Sequence, residues 1–340
     1  MNTDRVLLSH GGGGRQAGWL IQNYFVDTFQ NPALACLDDA AEFTIGNRQV
    51  AFTTDSYTVK PIFFPGGNIG TLAVCGTVND LTAKGAKPVA ISAGFIIEEG
   101  FLLSDLKTII NSMQDIAGRV PVPIVTGDTK VVKKGEADGI FINTSGVGLV
   151  QEGMDISSTH VKIGDDIIVT GTIAEHGLAI LNAREHLGFT PEIQSDVAPL
   201  SVLLPHLRSF APHIHAMRDP TRGGLAGILN EIAQSSRVTA EIFEEKIPVR
   251  DDVRACCDLL GLDPLYIANE GKMVLWVSES CTEELLNVLR NELGFKNAVC
   301  IGKISADPYR PEVPAVSLKT RLGSRRFVPL LEGDPLPRIC

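Results

Sequence analysis

Asp38-Asp39 ahead of Ala40-Ala41, Asp55 behind Thr53-Thr54, Asp80 behind Val78-Asn79 and Asp128 behind Gly127 all stand beside small residues or glycine. Carboxylates converging from several elements are what a hard cation such as Mg²⁺ and a polyphosphate require. Each aspartate alone is equally a turn or cap residue. Together Asp38, Asp39, Asp55, Asp80 and Asp128 form a candidate metal set, with Asp55, Asp80 and Asp128 also set against phosphates. His10-Gly11-Gly12-Gly13-Gly14-Arg15 is either a flexible arm or a loop that folds over phosphates. In the second reading the N–H groups of Gly11, Gly12 and Gly13 and the Arg15 guanidinium are the donors. No GK[ST] follows it and no strand of useful length precedes it, which excludes a Walker A loop and a Rossmann fingerprint. Arg218-Asp219-Pro220-Thr221-Arg222-Gly223-Gly224 runs into a helix, so Arg218 and Arg222 make an anion site at its start.

Three further residues are candidates for the chemical step. Lys130 follows Gly127-Asp128-Thr129 and is the cation nearest in sequence to the carboxylates. Glu270, in Ala268-Asn269-Glu270-Gly271-Lys272, is either a plain turn acid or a general base. Cys340 is the last residue, on a stretch from Glu332 that carries Pro335 and Pro337 and has neither helical nor strand pattern. Nine residues extend to roughly 30 Å, enough to carry a thiol from solvent into a cleft. Of the seven histidines, His176 in Glu175-His176-Gly177 ranks first for function; His206, His213 and His215 read as surface loop residues around Pro205 and Pro212.

The elements that must position these groups alternate through the first half. The pattern predicts strands over 49–54, 89–97, at 124–125 and over 140–150. It predicts helices over 70–85 and from a Ser104 cap to Gly118. The polar stretch 151–162 marks a domain boundary. The second half predicts strands over 166–171, 273–277 and 298–304. Its helices are 176–188, 223–236 and one from a Thr282 cap to Gly294. The organisation is α+β: residues 1–150, residues 151–331, and a mobile tail 332–340 carrying Cys340.

Composition narrows the classes. The 340 residues carry a net charge of −10 and no Lys/Arg block, against nucleic-acid binding. No apolar run is long enough to span a bilayer or lead a secretory signal, so the expectation is a cytoplasmic protein. The seven cysteines are odd in number and form no CxxC pair, against zinc-ribbon and thioredoxin chemistry.

HGGGGR, LDDAA, TTDS, GTVNDL with AKGAKP, GDTKVV, RDPTRGGL, ANEG and the terminal PRIC together resemble the HypE family of hydrogenase maturation proteins. That family lies within the superfamily of aminoimidazole ribotide synthetase and selenophosphate synthetase. The motifs run from residue 10 to residue 340, and the terminal cysteine is the discriminating one. The resemblance implies a two-domain PurM-like fold, a homodimer joined through the N-terminal domains, and ATP with Mg²⁺ against the aspartates. It implies that a HypF-like carbamoyltransferase loads Cys340, that ATP-dependent dehydration turns the S-carboxamide into a thiocyanate, and that the cyano group passes to iron on a HypC–HypD complex. Lys130 would then stabilise the phosphorylated oxygen and Glu270 take the amide proton. In one place the chain departs from the pattern: Ala174-Glu175 stands where Gly-Asp is expected before His176-Gly177.

Overall fold

The computed structural model describes residues 5–333, 336 and 338–340. Its first half contains β1 (Ala41–Ile45), β2 (Arg48–Tyr57), the short hairpin β3 (Phe63–Phe64) and β4 (Gly67–Asn68), β5 (Ala86–Glu98), β6 (Ile124–Val132) and β7 (Ile140–Val150). Five of these form a sheet in the order β1-β2-β7-β5-β6, with β5 and β6 parallel and the other pairs antiparallel. The helices Ile69–Ala83 and Leu103–Arg119 supply the apolar faces that cover it. Asn68 caps the first of them by accepting the N–H groups of Gly70 and Thr71. The second begins at Leu103 with no side-chain cap, so Ser104 is not the cap its sequence suggests; its hydroxyl lies by Asp105 instead.

The second half contains β8 (Asp165–Val169), β9 (Ile214–Arg218), β10 (Thr239–Phe243), β11 (Val274–Ser278), β12 (Val299–Ser305), β13 (Val316–Lys319) and β14 (Arg325–Phe327). They form one sheet in the order β14-β13-β10-β12-β8-β11-β9. The helix Gly224–Ser235 packs in one apolar cluster with it, and residues of the helix Thr282–Asn287 in another. Thr282 is not the cap of its helix either: its hydroxyl donates to Asp166 Oδ2 at 2.7 Å.

One apolar core crosses between the halves. It joins Ile69, Leu72, Val78 and Ile91 to Leu178, Ile193, Ile267, Leu336 and Ile339. Of the described tail residues, Leu336 and Ile339 lie in this core and Cys340 packs against it. Burying Leu336 and Ile339 contributes roughly 1.5–3 kcal/mol each. Pro335 and Pro337, on which the reading of a mobile arm leans, lie outside the described residues.

Candidate active site

Three carboxylates meet at the seam between the halves. Ligand oxygens of Asp39, Asp80 and Asp219 all lie within 4.8 Å of one another. Asp39 comes from the segment before β1, Asp80 from the helix Ile69–Ala83, and Asp219 from the end of β9. Burial pushes all three carboxyls above their ordinary range, Asp219 up to about 7. Asp39 is also paired with Arg218 at 2.5 Å, and its Oδ2 is buried with no hydrogen-bond partner among the described residues. Buried carboxylates this close repel, and a bound cation removes that cost. The donors are all hard oxygens, which fits Mg²⁺.

Asp55 and Arg222 extend the group. Asp55 accepts the Tyr57 hydroxyl at 3.2 Å, and burial, countered by Arg222, raises its pKa. The charge of Cys340 beside it is the main cause that raises the Arg222 pKa. Arg222 also donates to the carbonyl of Gly11 at 3.1 Å, which ties the glycine loop to the site. Gly14 needs its φ of +105°, and a Cβ there would lie 2.6 Å from the Leu331 carbonyl oxygen. Arg15 turns away from this group and pairs at the surface with Glu332 at 3.4 Å.

Glu270 is 2 % exposed, and its Oε1 has no hydrogen-bond partner among the described residues. Burial, then the charges of Asp219, Asp196 and Asp55, hold its carboxyl well above the ordinary range. Its loop is clamped from below. The N–H groups of Glu270 and Gly271 both donate to the Asp196 carboxylate at 3.2 Å, and Lys272 pairs with the same carboxylate at 3.1 Å. A Cβ on Gly271 would lie 1.9 Å from the Asp196 carbonyl oxygen, so only glycine fits. Asn269 accepts from the Ala174 N–H at 2.7 Å and donates to the Pro220 carbonyl at 3.1 Å, which fixes the Asp219 turn. Asn79 donates to the Glu270 carbonyl at 3.3 Å from the other half.

Several expected residues lie elsewhere. Asp38 forms a buried ion pair with Lys84 at 2.8 Å and accepts the Ser158 N–H at 2.9 Å. Its oxygens are committed to joining the halves, and against its burial Lys84 holds its pKa below the ordinary range. Asp128 and Lys130 pair with each other at 2.8 Å on β6, with side chains 69 % and 67 % exposed. Register aligns Asp55 with Thr144, Thr144 with Ala93, and Ala93 with Gly127. Three strand spacings, about 14 Å, thus separate Asp55 from the Asp128 neighbourhood within one chain. His215 is not a surface residue: it is buried, with Nδ1 2.7 Å from Asp165 and Nε2 3.0 Å from Lys162. Glu175 is buried, with burial raising its pKa, and Ala174 adopts a φ of +78° that glycine would take more easily.

Asp219, Tyr57 and Asp196 carry no role in the sequence reading. Asp219 lies within RDPTRGG, and what makes it a site residue is its place directly after strand β9, which the sequence pattern does not show.

Residues 37–150 match the N-terminal domain of the AIR synthase related proteins, and residues 162–312 match their C-terminal domain. Carbamoyl dehydratase HypE of Bradyrhizobium diazoefficiens is 47% identical over 98% of this chain and 96% of its own length. The chain belongs to the HypE family. A crystal structure of a HypE–HypF complex matches with a TM-score of 0.86 and 46% identity, covering 92% of this chain and 99% of the other. A crystal structure of HypE in complex with ATP matches with a TM-score of 0.81 and 44% identity, covering 99% and 100%. The two-domain PurM-like fold, and a place among hydrogenase maturation proteins, follow from this membership.

Proposed function

We propose that this HypE-family chain is an ATP-dependent carbamoyl dehydratase whose substrate is carried on its own Cys340. The observation that carries the reading is the seat of the chain end. The Thr58 N–H donates to the Cys340 carbonyl oxygen at 3.0 Å and the Thr58 hydroxyl at 3.3 Å, while the charge of Cys340 stands beside Arg222. Cys340 thus stands beside the arginine that this reading assigns to phosphate, and the charge of Glu270 acts on the same guanidinium.

The reaction balances as S–C(=O)NH₂ plus ATP giving S–C≡N, ADP and phosphate. The amide oxygen leaves on phosphate, and the nitrogen loses two protons. Glu270 receives a proton from the amide nitrogen; burial raises its pKa, which makes it a stronger proton acceptor than an exposed carboxylate. Arg222 faces the anionic phosphoryl oxygens, and N–H groups of Gly11, Gly12 and Gly13 cradle the remaining phosphates. Asp39, Asp80 and Asp219, with Asp55 alongside, would hold Mg²⁺, which neutralises charge on the transferred group. Attachment of the substrate to the chain makes the encounter intramolecular, which can replace several kcal/mol of binding entropy.

The partners follow from the same reading: a HypF-like carbamoyltransferase that loads Cys340, and a HypC–HypD complex whose iron receives the cyanide for a [NiFe] hydrogenase. These steps belong to the cytoplasm. No helix among the described residues is long and apolar enough to cross a membrane. A homodimer joined through the N-terminal sheets would cover the open face of β2 and β7, where Phe52 and Val147 stand opposite each other and exposed. It would also allow Asp128 and Lys130 of one copy to reach the site of the other.

Intact-mass analysis after incubation with the carbamoyltransferase, carbamoyl phosphate and ATP tests the reading. A carbamoyl adduct mapped to Cys340 that loses one water with ATP is the expected result. An unmodified Cys340, with ATP hydrolysed only on addition of a free metabolite, would move the chain to small-molecule synthesis.

A further inference from the structure

His176 is fully buried, and the reaction scheme gives it no task. Its ring lies between two partners. Nε2 is 3.1 Å from the carbonyl oxygen of Ile339, the residue before Cys340. Nδ1 is 2.7 Å from the hydroxyl of Ser195. A carbonyl oxygen can only accept, so Nε2 carries the proton. Nδ1 is then bare and accepts from Ser195, whose oxygen in turn accepts the Val197 N–H at 3.1 Å. The Ile339 carbonyl therefore fixes which nitrogen of the ring is protonated, and Ser195, able to donate to the bare one, holds the ring in that orientation.

The relay is rigidly mounted. The Ser195 N–H donates to the Pro65 carbonyl at 2.8 Å, across the seam from the N-terminal half. A Cβ on Gly66 would lie 2.8 Å from both the backbone nitrogen and the carbonyl oxygen of Ser195, so the two strands of chain touch directly. Phe64 meets the imidazole edge-on, with ring centroids 5.6 Å apart at 86°. Burial lowers the His176 pKa, which keeps the ring neutral with a single donor. On the other side of the tail, Thr58 holds the next carbonyl along, that of Cys340.

We propose that His176, its ring held in orientation by Ser195, is a positioning residue that latches the Ile339 carbonyl and so seats Cys340 in the site. The latch grips backbone, so the same contact serves whether the sulfur carries a thiol, a carboxamide or a thiocyanate. It is required for the step inside the site and not for loading, when the tail has left. This rests on the reading of Cys340 as carrier, but its first test does not.

That test is the rate of iodoacetamide alkylation at Cys340 in the full chain without ATP or partners, read by peptide mapping. The exposed Cys36 is the internal reference. Ser195→Ala and His176→Leu should raise the Cys340 rate about tenfold, the effect of one buried hydrogen bond. His176→Gln, which retains a side-chain N–H donor, should restore much of the protection. In a second arm, carbamoyl-Cys340 made beforehand is given saturating ATP. Loss of water should slow about tenfold in Ser195→Ala, with the ATP KM and the loading rate unchanged. Unchanged alkylation in a folded Ser195→Ala protein overturns the latch, even if His176→Leu fails to fold. Absence of dehydration in the unsubstituted chain, with alkylation behaving as stated, overturns the carrier reading and leaves the latch standing.

Discussion

At the scale of single residues, the site is a set of acids that the fold keeps from ionising freely. Burial raises Asp39, Asp55, Asp80 and Asp219, and the charges of neighbouring carboxylates add to it for all but Asp55. A carboxyl with a raised folded pKa keeps its proton while the unfolded chain has already lost it. Its stabilising effect is thus fully present below the ordinary carboxylate pKa of about 4 and is lost as pH rises through the folded value. For the metal-free protein the thermal midpoint should fall as pH rises from about 4 toward about 7, the value to which Asp219 is pushed. Cation binding needs the ionised forms, so the rise in midpoint produced by Mg²⁺ should be larger at about pH 8 than at about pH 5. Thermal scans with and without Mg²⁺ across that range check this. A midpoint that rises with pH in the absence of metal would mean that these carboxylates are stabilised ionised by the protein alone.

At the scale of elements, the loop Ala268–Lys272 depends on one carboxylate. Asp196 takes two backbone N–H groups and the Lys272 ammonium, and its side chain is only 4 % exposed. Asp196→Ala leaves Lys272 buried without its counter-ion and should cost about 3–5 kcal/mol, seen as a shift in the urea midpoint. Lys272→Met in the Asp196→Ala background should recover part of it, because the stranded charge is then gone. The contact is invisible in the sequence, since Asp196 lies outside every predicted element and 76 residues before Lys272. The long strands are legible: 140–150 stands as predicted, and 89–97 is extended at both ends. So is the helix 70–85, from its apolar spacing. Strand β9 is not, because all but its last residue are buried, which removes alternation, and its two neighbouring histidines suggest a surface loop. That one omission hides Asp219 and the burial of His215. Local pattern reports which face is buried; it does not report which distant loop closes over it.

At the scale of the molecule, one chain leaves two candidate groups stranded. Edge strand β6 exposes Asp128, Lys130, Val125 and Val131, and three strand spacings separate it from Asp55. An exposed, partly apolar edge beside an open sheet face is an unstable arrangement for a solitary chain. If two copies join across this face with two-fold symmetry, Lys130 of each serves the Glu270 of the other. Lys130→Ala and Glu270→Gln should then each be inactive alone. A mixture unfolded and refolded together should recover about one quarter of the activity, because random pairing makes half the dimers mixed and one of their two sites is intact. The readout is the loss of water from carbamoyl-Cys340, and the intact site must be the one whose Cys340 belongs to the Lys130→Ala chain. Isotopic labelling of that chain tells the two cysteines apart by mass. Product on the other chain would place Glu270 in the partner's site instead, and no recovery at all would return Lys130 to a surface ion pair with Asp128.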